Sequence, residues 1–242
     1  MTPSLSLVRS LVETRLPGAL SPHLRSDPEM LLAGIAGLDR LTSGIPRRGL
    51  TQICAPPQVS SGRTTLLLSL MAEVTRSEEF CALVDANDCF DPASAEAAGV
   101  DLSHLLWVRC RRVRGIKPLE QAFRAADIVV QNGGFGLIAV DLSGIEERWV
   151  RKTPLSTWFR FARVMEKMPA ALVFLLSCPA AQSCAALTLQ FAGNRGQWQG
   201  AGEVLHANFL SGVECEFGIG RARTRKPVQS VPGRFTANPV WA

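Results

Sequence analysis

Tyrosine is absent from this chain of 242 residues, so no phenol is available as acid, base or nucleophile. Histidine is scarce: only His23, His104 and His206 occur, far apart in sequence. No H-E-x-x-H, no Cys/His zinc spacing and no serine–histidine–aspartate set can be assembled. That excludes metalloprotease, zinc-finger and triad-hydrolase chemistry. No apolar run reaches the ~18 residues that span a bilayer. The opening stretch SLSLVRSLVETRL has no basic n-region, and Arg9 interrupts it. Neither a membrane span nor a signal peptide is expected. The seven cysteines are an odd number without metal-type pairing, and most lie in or beside apolar runs. Buried, reduced thiols and a cytoplasmic location follow as expectations.

What is present is an ordinary globular balance: 47% apolar and 19% charged residues, enough chain for one or at most two domains. The net charge of +5 is uneven. From Gly218 onward there are five basic residues and no acid, while the remaining 21 basic residues match the 21 acids. The spacing predicts three regions. Residues 1–32 read as a helix over 4–16, ended by Pro17-Gly18, and a proline-bearing linker. Residues 33–220 read as the core, and 221–242 as a basic, mobile tail.

Within the core, short apolar runs alternate with helical periodicity. Strands are predicted at 50–55, 80–85, 105–110, 136–143 and 171–178. Helices are predicted from Gly62, from Pro92, over 117–131 and over 155–168. Strands that are apolar on both sides predict an α/β fold, a mostly parallel sheet covered by helices on both faces. After residue 186, the runs LTLQFA, EVLHANFL and VECEFGIG alternate instead, around GNRGQWQGAG, which reads as a glycine-rich turn. They predict antiparallel strands added at the C-terminal end.

Four stretches carry possible chemistry. PPQVSSGRTTLLLS, residues 56–69, has the outline of a phosphate-binding loop feeding a helix. Ser60, Ser61, Gly62, Arg63, Thr64 and Thr65 are the candidate nucleotide contacts. The pattern G-x-x-x-x-G-K-[ST] is broken twice, by Pro57 at the first glycine and by Arg63 at the lysine. Serines capping an ordinary helix explain the same residues. Asp141 ends an apolar strand, where ligands bind in open α/β sheets, and could hold a metal-bound water near Thr64 or cap the next turn. Asp85, Asp88 and Asp91 in DANDCFDP lack the further ligands of a metal site, and Asp91 before Pro92 reads as a helix N-cap. Finally, Arg109, Arg111, Arg112 and Arg114 form a basic patch at a strand end. With Arg221, Arg223, Arg225 and Lys226 of the tail, they are the candidate contacts for DNA or an acidic partner. EERWVRK, around Trp149, is either a binding loop or a tryptophan packed beneath one.

The order of parts, GIAGLDRLTSGIPRRGLTQIC, SSGRTTLLL, CALVDANDCFDPASAEAAGVDLSHLLWVRC and LIAVDLS, resembles the core of the bacterial RecA family from about residue 33 to 192. The pattern DxxxxxDPxxAxxxGVDLxxLL over 85–106 is its most specific part. The resemblance implies a RecA-like P-loop core of the ATPase fold, with ATP and magnesium as its cofactors only if the nucleotide site is retained. It also sets out the departures. Asn87 stands where the family has its catalytic glutamate, so no catalytic residue is assigned. Ser177 and Cys178 stand at the Asn-Gln pair that senses the γ-phosphate. The DNA-binding loop after the fifth strand is shortened to PAAQSCAA, and no counterpart of the recombinases' large C-terminal domain is expected. A RecA-like core with a degraded nucleotide site is similar to the ImuA-type accessory proteins of mutagenic translesion synthesis. That likeness implies a role in the DNA damage (SOS) response and DNA repair, a Y-family polymerase homologue and an error-prone replicative polymerase as partners, weak DNA binding, and self-association through residues 4–16. Two other readings stay open: a DNA-dependent RecA-like ATPase using Arg63, and a cell-division inhibitor of the SulA kind.

Overall fold

A computed structural model describes Thr14 and residues 29–57, 60–110, 117–199, 209–222 and 233–237. The remainder of the predicted 4–16 helix lies outside the described residues, as do Arg111, Arg112, Arg114, Arg223, Arg225 and Lys226. In chain order the elements are β1 (Met30–Leu31), α1 (Ala36–Thr42), β2 (Ile45–Pro46), β3 (Gly49–Cys54), α2 (Arg63–Arg76), β4 (Cys81–Asp85) and α3 (Pro92–Ala97). Then come β5 (Leu105–Arg109), α4 (Pro118–Asn132), β6 (Leu137–Asp141), α5 (Glu147–Arg151), α6 (Leu155–Met165) and β7 (Ala171–Leu176). Three strands close the series: β8 (Leu187–Gln199), β9 (Phe209–Ala222) and β10 (Gly233–Ala237).

Strands β1 and β2 form a small antiparallel pair. The other eight form one sheet in the order β10-β9-β8-β3-β7-β6-β4-β5. It is parallel from β8 to β5 and antiparallel from β8 to β10. This is the predicted α/β class, with its antiparallel extension.

The alternation of side chains along each strand divides the core in two. On β7, Val173 and Leu175 face one layer, while Leu172 and Phe174 face the other. The first layer is covered by α2 through Leu66, Leu67, Leu70, Met71 and Val74. Each such side chain, fully buried, stabilises by about 1.5–3 kcal/mol. The second is covered by α4 and α6, where Phe123, Trp158, Phe161 and Phe174 pack with ring centroids 5.0–6.3 Å apart. Helix α3 starts as its sequence demands. Asp91 accepts from the Ser94 amide at 3.0 Å and Pro92 follows it.

Two expectations about the C-terminal part need correction. GNRGQWQ is not a turn but the second half of β8, paired with β9 through register shifts at Phe191/Gly193 and Gln197/Trp198. Bulges let a glycine-rich strand stay in the ladder. Nor is everything beyond residue 220 a tail. Arg221 and Ala222 end β9, and Gly233–Ala237 form β10, whose Phe235 packs against Phe191 and Phe217. The basic excess of this region concealed a strand with a buried aromatic face.

Candidate phosphate-loop site

The C-terminal ends of β3, β4, β6 and β7 lie side by side, and the loops that leave them converge there. Gly62 is the N-cap of α2, with φ +80°, the left-handed region where glycine is at ease. A Cβ at Gly62 would come within 2.3 Å of the Cys215 sulfur and 3.1 Å of the Phe235 ring. The antiparallel extension therefore packs directly on the loop, a contact that sequence reasoning missed.

Arg63 does not point outward. Its Nη1 donates to the carbonyls of Ala55 at 3.0 Å and Leu176 at 3.1 Å, at the ends of β3 and β7. Burial lowers the affinity of this guanidinium for its proton, while the nearby Asp141 carboxylate opposes the shift. Ser60, Thr64 and Thr65 are exposed. Thr65 faces an open groove of about 460 Å³ between α1, α2 and β10. Ser61 and Ser177 are buried, and their hydroxyls have no hydrogen-bond partner among the described residues.

Asp141, at the end of β6, accepts from the Ser143 amide at 2.8 Å, so it does cap the following turn. Burial pushes its pKa up; the Ser143 hydrogen bonds and Arg63 counteract that, and Asp85 reinforces it. The structure brings Asn87 to the same place. Its Nδ2 donates to Asp141 Oδ1 at 3.4 Å, and its Oδ1 lies against Gly144. Asp85 is fully buried and accepts from the amides of Asn87 at 3.0 Å and Phe90 at 2.9 Å, bracing the turn that carries Asn87.

Gln52 is a second element the sequence reading missed. The signal was available: one polar residue within the apolar run LTQICA. Its Oε1 accepts from the amides of Ala180 and Ala181, both at 3.1 Å, and its Nε2 donates to Thr188 at 2.8 Å. The short loop after β7 is thus fastened to the centre of the sheet.

The basic candidates are not gathered into this site. Arg109 is engaged by Asp88 through two bonds of 2.6 and 3.0 Å and lies 4.7 Å from the Trp107 ring centroid. Arg221 is exposed on β9, far along the sheet from Arg109 on β5. Around Trp149, by contrast, Lys117, Arg148 and Lys152 sit 4.4, 5.2 and 5.4 Å from the ring centroid. The tryptophan is half-buried beneath cations.

Among known families, the RecA N-terminal domain matches residues 22–145. Protein RecA of Rickettsia massiliae is 35% identical over 122 residues, 50% of this chain and 33% of that protein. Protein RecA of Ectopseudomonas oleovorans is 38% identical over 117 residues, 48% and 31% of the two chains. For Protein RecA of Colwellia psychrerythraea the figures are 33% over 124 residues, 50% and 34%. The match thus spans about a third of the length of these curated relatives and stops at the loop after β6. A phosphate-loop outline, a buried parallel sheet and a family match over half the chain agree: this chain belongs to the RecA N-terminal domain family.

Proposed function

We propose that this chain is a RecA-family accessory protein of the DNA damage response that acts by contact with other macromolecules and does not hydrolyse ATP. The observation that carries this reading is Arg63. In phosphoryl transfer the cation of the phosphate loop must reach the transferred group. Here it is bound to two main-chain carbonyls inside the protein. The planar guanidinium also cannot replace a compact ammonium at such a site.

Three further features point the same way. Asn87 carries an amide where a proton acceptor is needed, and an amide cannot take a proton from an attacking water. Gln52 pins the loop after β7, which leaves that loop little freedom to follow a phosphate. Pro57 has no N–H to offer the cradle. The residues present do not fit the hydrolysis of magnesium-ATP.

The role within that class is a support for mutagenic translesion synthesis, as the likeness to ImuA-type proteins implies. Its partners in this reading are a Y-family polymerase homologue and an error-prone replicative polymerase, and its DNA binding is weak. Arg221 and the basic residues at 111–114 and 223–226 supply that affinity, and residues 4–16 supply self-association. The experiment is phosphate release by the purified chain with magnesium-ATP and single-stranded DNA. The expected rate equals that of Thr64→Ala. Wild-type turnover clearly above that of the variant overturns the reading in favour of a working ATPase.

A further inference from the structure

The outer face of α6 is apolar where solvent meets it. Leu155 is 45% and Phe159 57% exposed, four residues apart and so on one side of the helix. Arg163, another four residues on, continues the same side and is exposed, and Lys152 stands just before the helix. Residues 148–165 contain five basic residues and no acid. Arg148 is paired with Glu146, Arg151 with Glu147 and Arg160 with Asp127. Lys152 and Arg163 have no carboxylate partner among the described residues. The Arg160–Asp127 bond ties α6 to α4, whose Ile128 is 63% exposed. Three of the seven exposed large apolar side chains among the described residues therefore lie on two adjoining helices. Single exposed apolar residues are ordinary, but a grouped set framed by one sign of charge marks an interaction surface.

We propose that this α6 face docks an acidic amphipathic peptide segment of a partner protein. Leu155 and Phe159 receive the partner's apolar residues, and Lys152 and Arg163 receive its carboxylates at the two ends. The mode is that of an amphipathic helix laid against an apolar strip, with anchors at i, i+3, i+4 and i+7. Charge complementarity selects the occupant. Lys152, which lies 5.4 Å from the Trp149 ring, and Arg163 have no carboxylate partner among the described residues, and against the single acid Glu166 at the helix end they favour an acidic segment over a basic one. A nucleic acid also meets the cations and finds one ring, Phe159, for a base, but Leu155 offers it neither charge nor ring, and an oligothymidine probe separates the two occupants. This inference rests on the reading that the chain works through protein contacts. The phosphate-release assay decides that reading separately, because Leu155, Phe159, Lys152 and Arg163 lie outside the phosphate loop.

The test uses the full chain with three labelled probes. These are a 16-residue helix-forming peptide with leucines at i, i+3, i+4 and i+7 among glutamates, a scrambled peptide of the same composition, and a 16-nucleotide oligothymidine. Fluorescence anisotropy should give saturable binding of the amphipathic peptide, weakening as salt rises. Leu155→Ser with Phe159→Ser should weaken it at least tenfold. Lys152→Glu with Arg163→Glu should do the same, and that variant should bind a peptide with lysine in place of glutamate. All four side chains are exposed, so circular dichroism should find the variants folded. Equal binding of the scrambled peptide overturns the proposal. So does absence of peptide binding, or binding of oligothymidine alone that ignores the change at Leu155 and Phe159.

Discussion

The chemistry of the phosphate loop turns on the direction of a few side chains. Arg63 could be read from the sequence as a departure from lysine, but not as a side chain turned inward. That direction depends on carbonyls at the ends of two strands far apart in the chain. Gly62 gives the clearest substitution. Gly62→Ala places a methyl in a left-handed backbone and against the Cys215 sulfur, so a loss of about 1–3 kcal/mol is expected by urea denaturation. In a Cys215→Ala background part of that cost should vanish, because one of the two colliding groups is gone. Asp141 gives a pH signature. Its folded pKa lies above the ordinary 3.8, so the folded state binds the proton more tightly than the unfolded chain. The contribution of Asp141 to stability is therefore greatest below that ordinary value and is lost as pH rises through the raised one. Asp141→Asn should raise the urea midpoint at pH 7 and leave it nearly unchanged at pH 3.5.

Elements were legible wherever one periodicity held. The two-sided apolar runs became β3, β4, β6 and β7, and the helical stripes became α2, α4 and α6. The misreadings fall where two signals compete. Gly193 and Gly196 argue for a turn, yet their segment pairs across β9 as the outer half of β8. In β10 the charge of Arg234 drew attention to solvent, whereas Phe235 on the opposite face is buried and Arg234 lies near Glu214 and Glu216. The strand is held by its aromatic contacts. Phe235→Ala should cost about 3 kcal/mol in chemical denaturation. A cost under 1 kcal/mol would show that β10 contributes little to the sheet.

Over the whole molecule, six of the seven cysteines are buried and only Cys89 is exposed. Burial pushes both Cys54 and Cys81 up to about 12. A disulfide-exchange reagent at pH 8 should accordingly titrate one thiol in the native protein and the other six only after unfolding. The composition had pointed to buried thiols, and the two-layer core supplies the reason.

The position of β3 has a consequence for synthesis. Strands β4, β5 and β6 are neighbours and come from one continuous stretch, so they can pair as soon as residue 141 is free. Strand β3 precedes them all, yet both of its neighbours, β7 and β8, are made more than 100 residues later. While the chain is still on the ribosome, its first long strand waits with both edges open until residues 171–190 emerge. During that interval a chaperone that covers this one hexamer would shield the strand destined for the middle of the sheet.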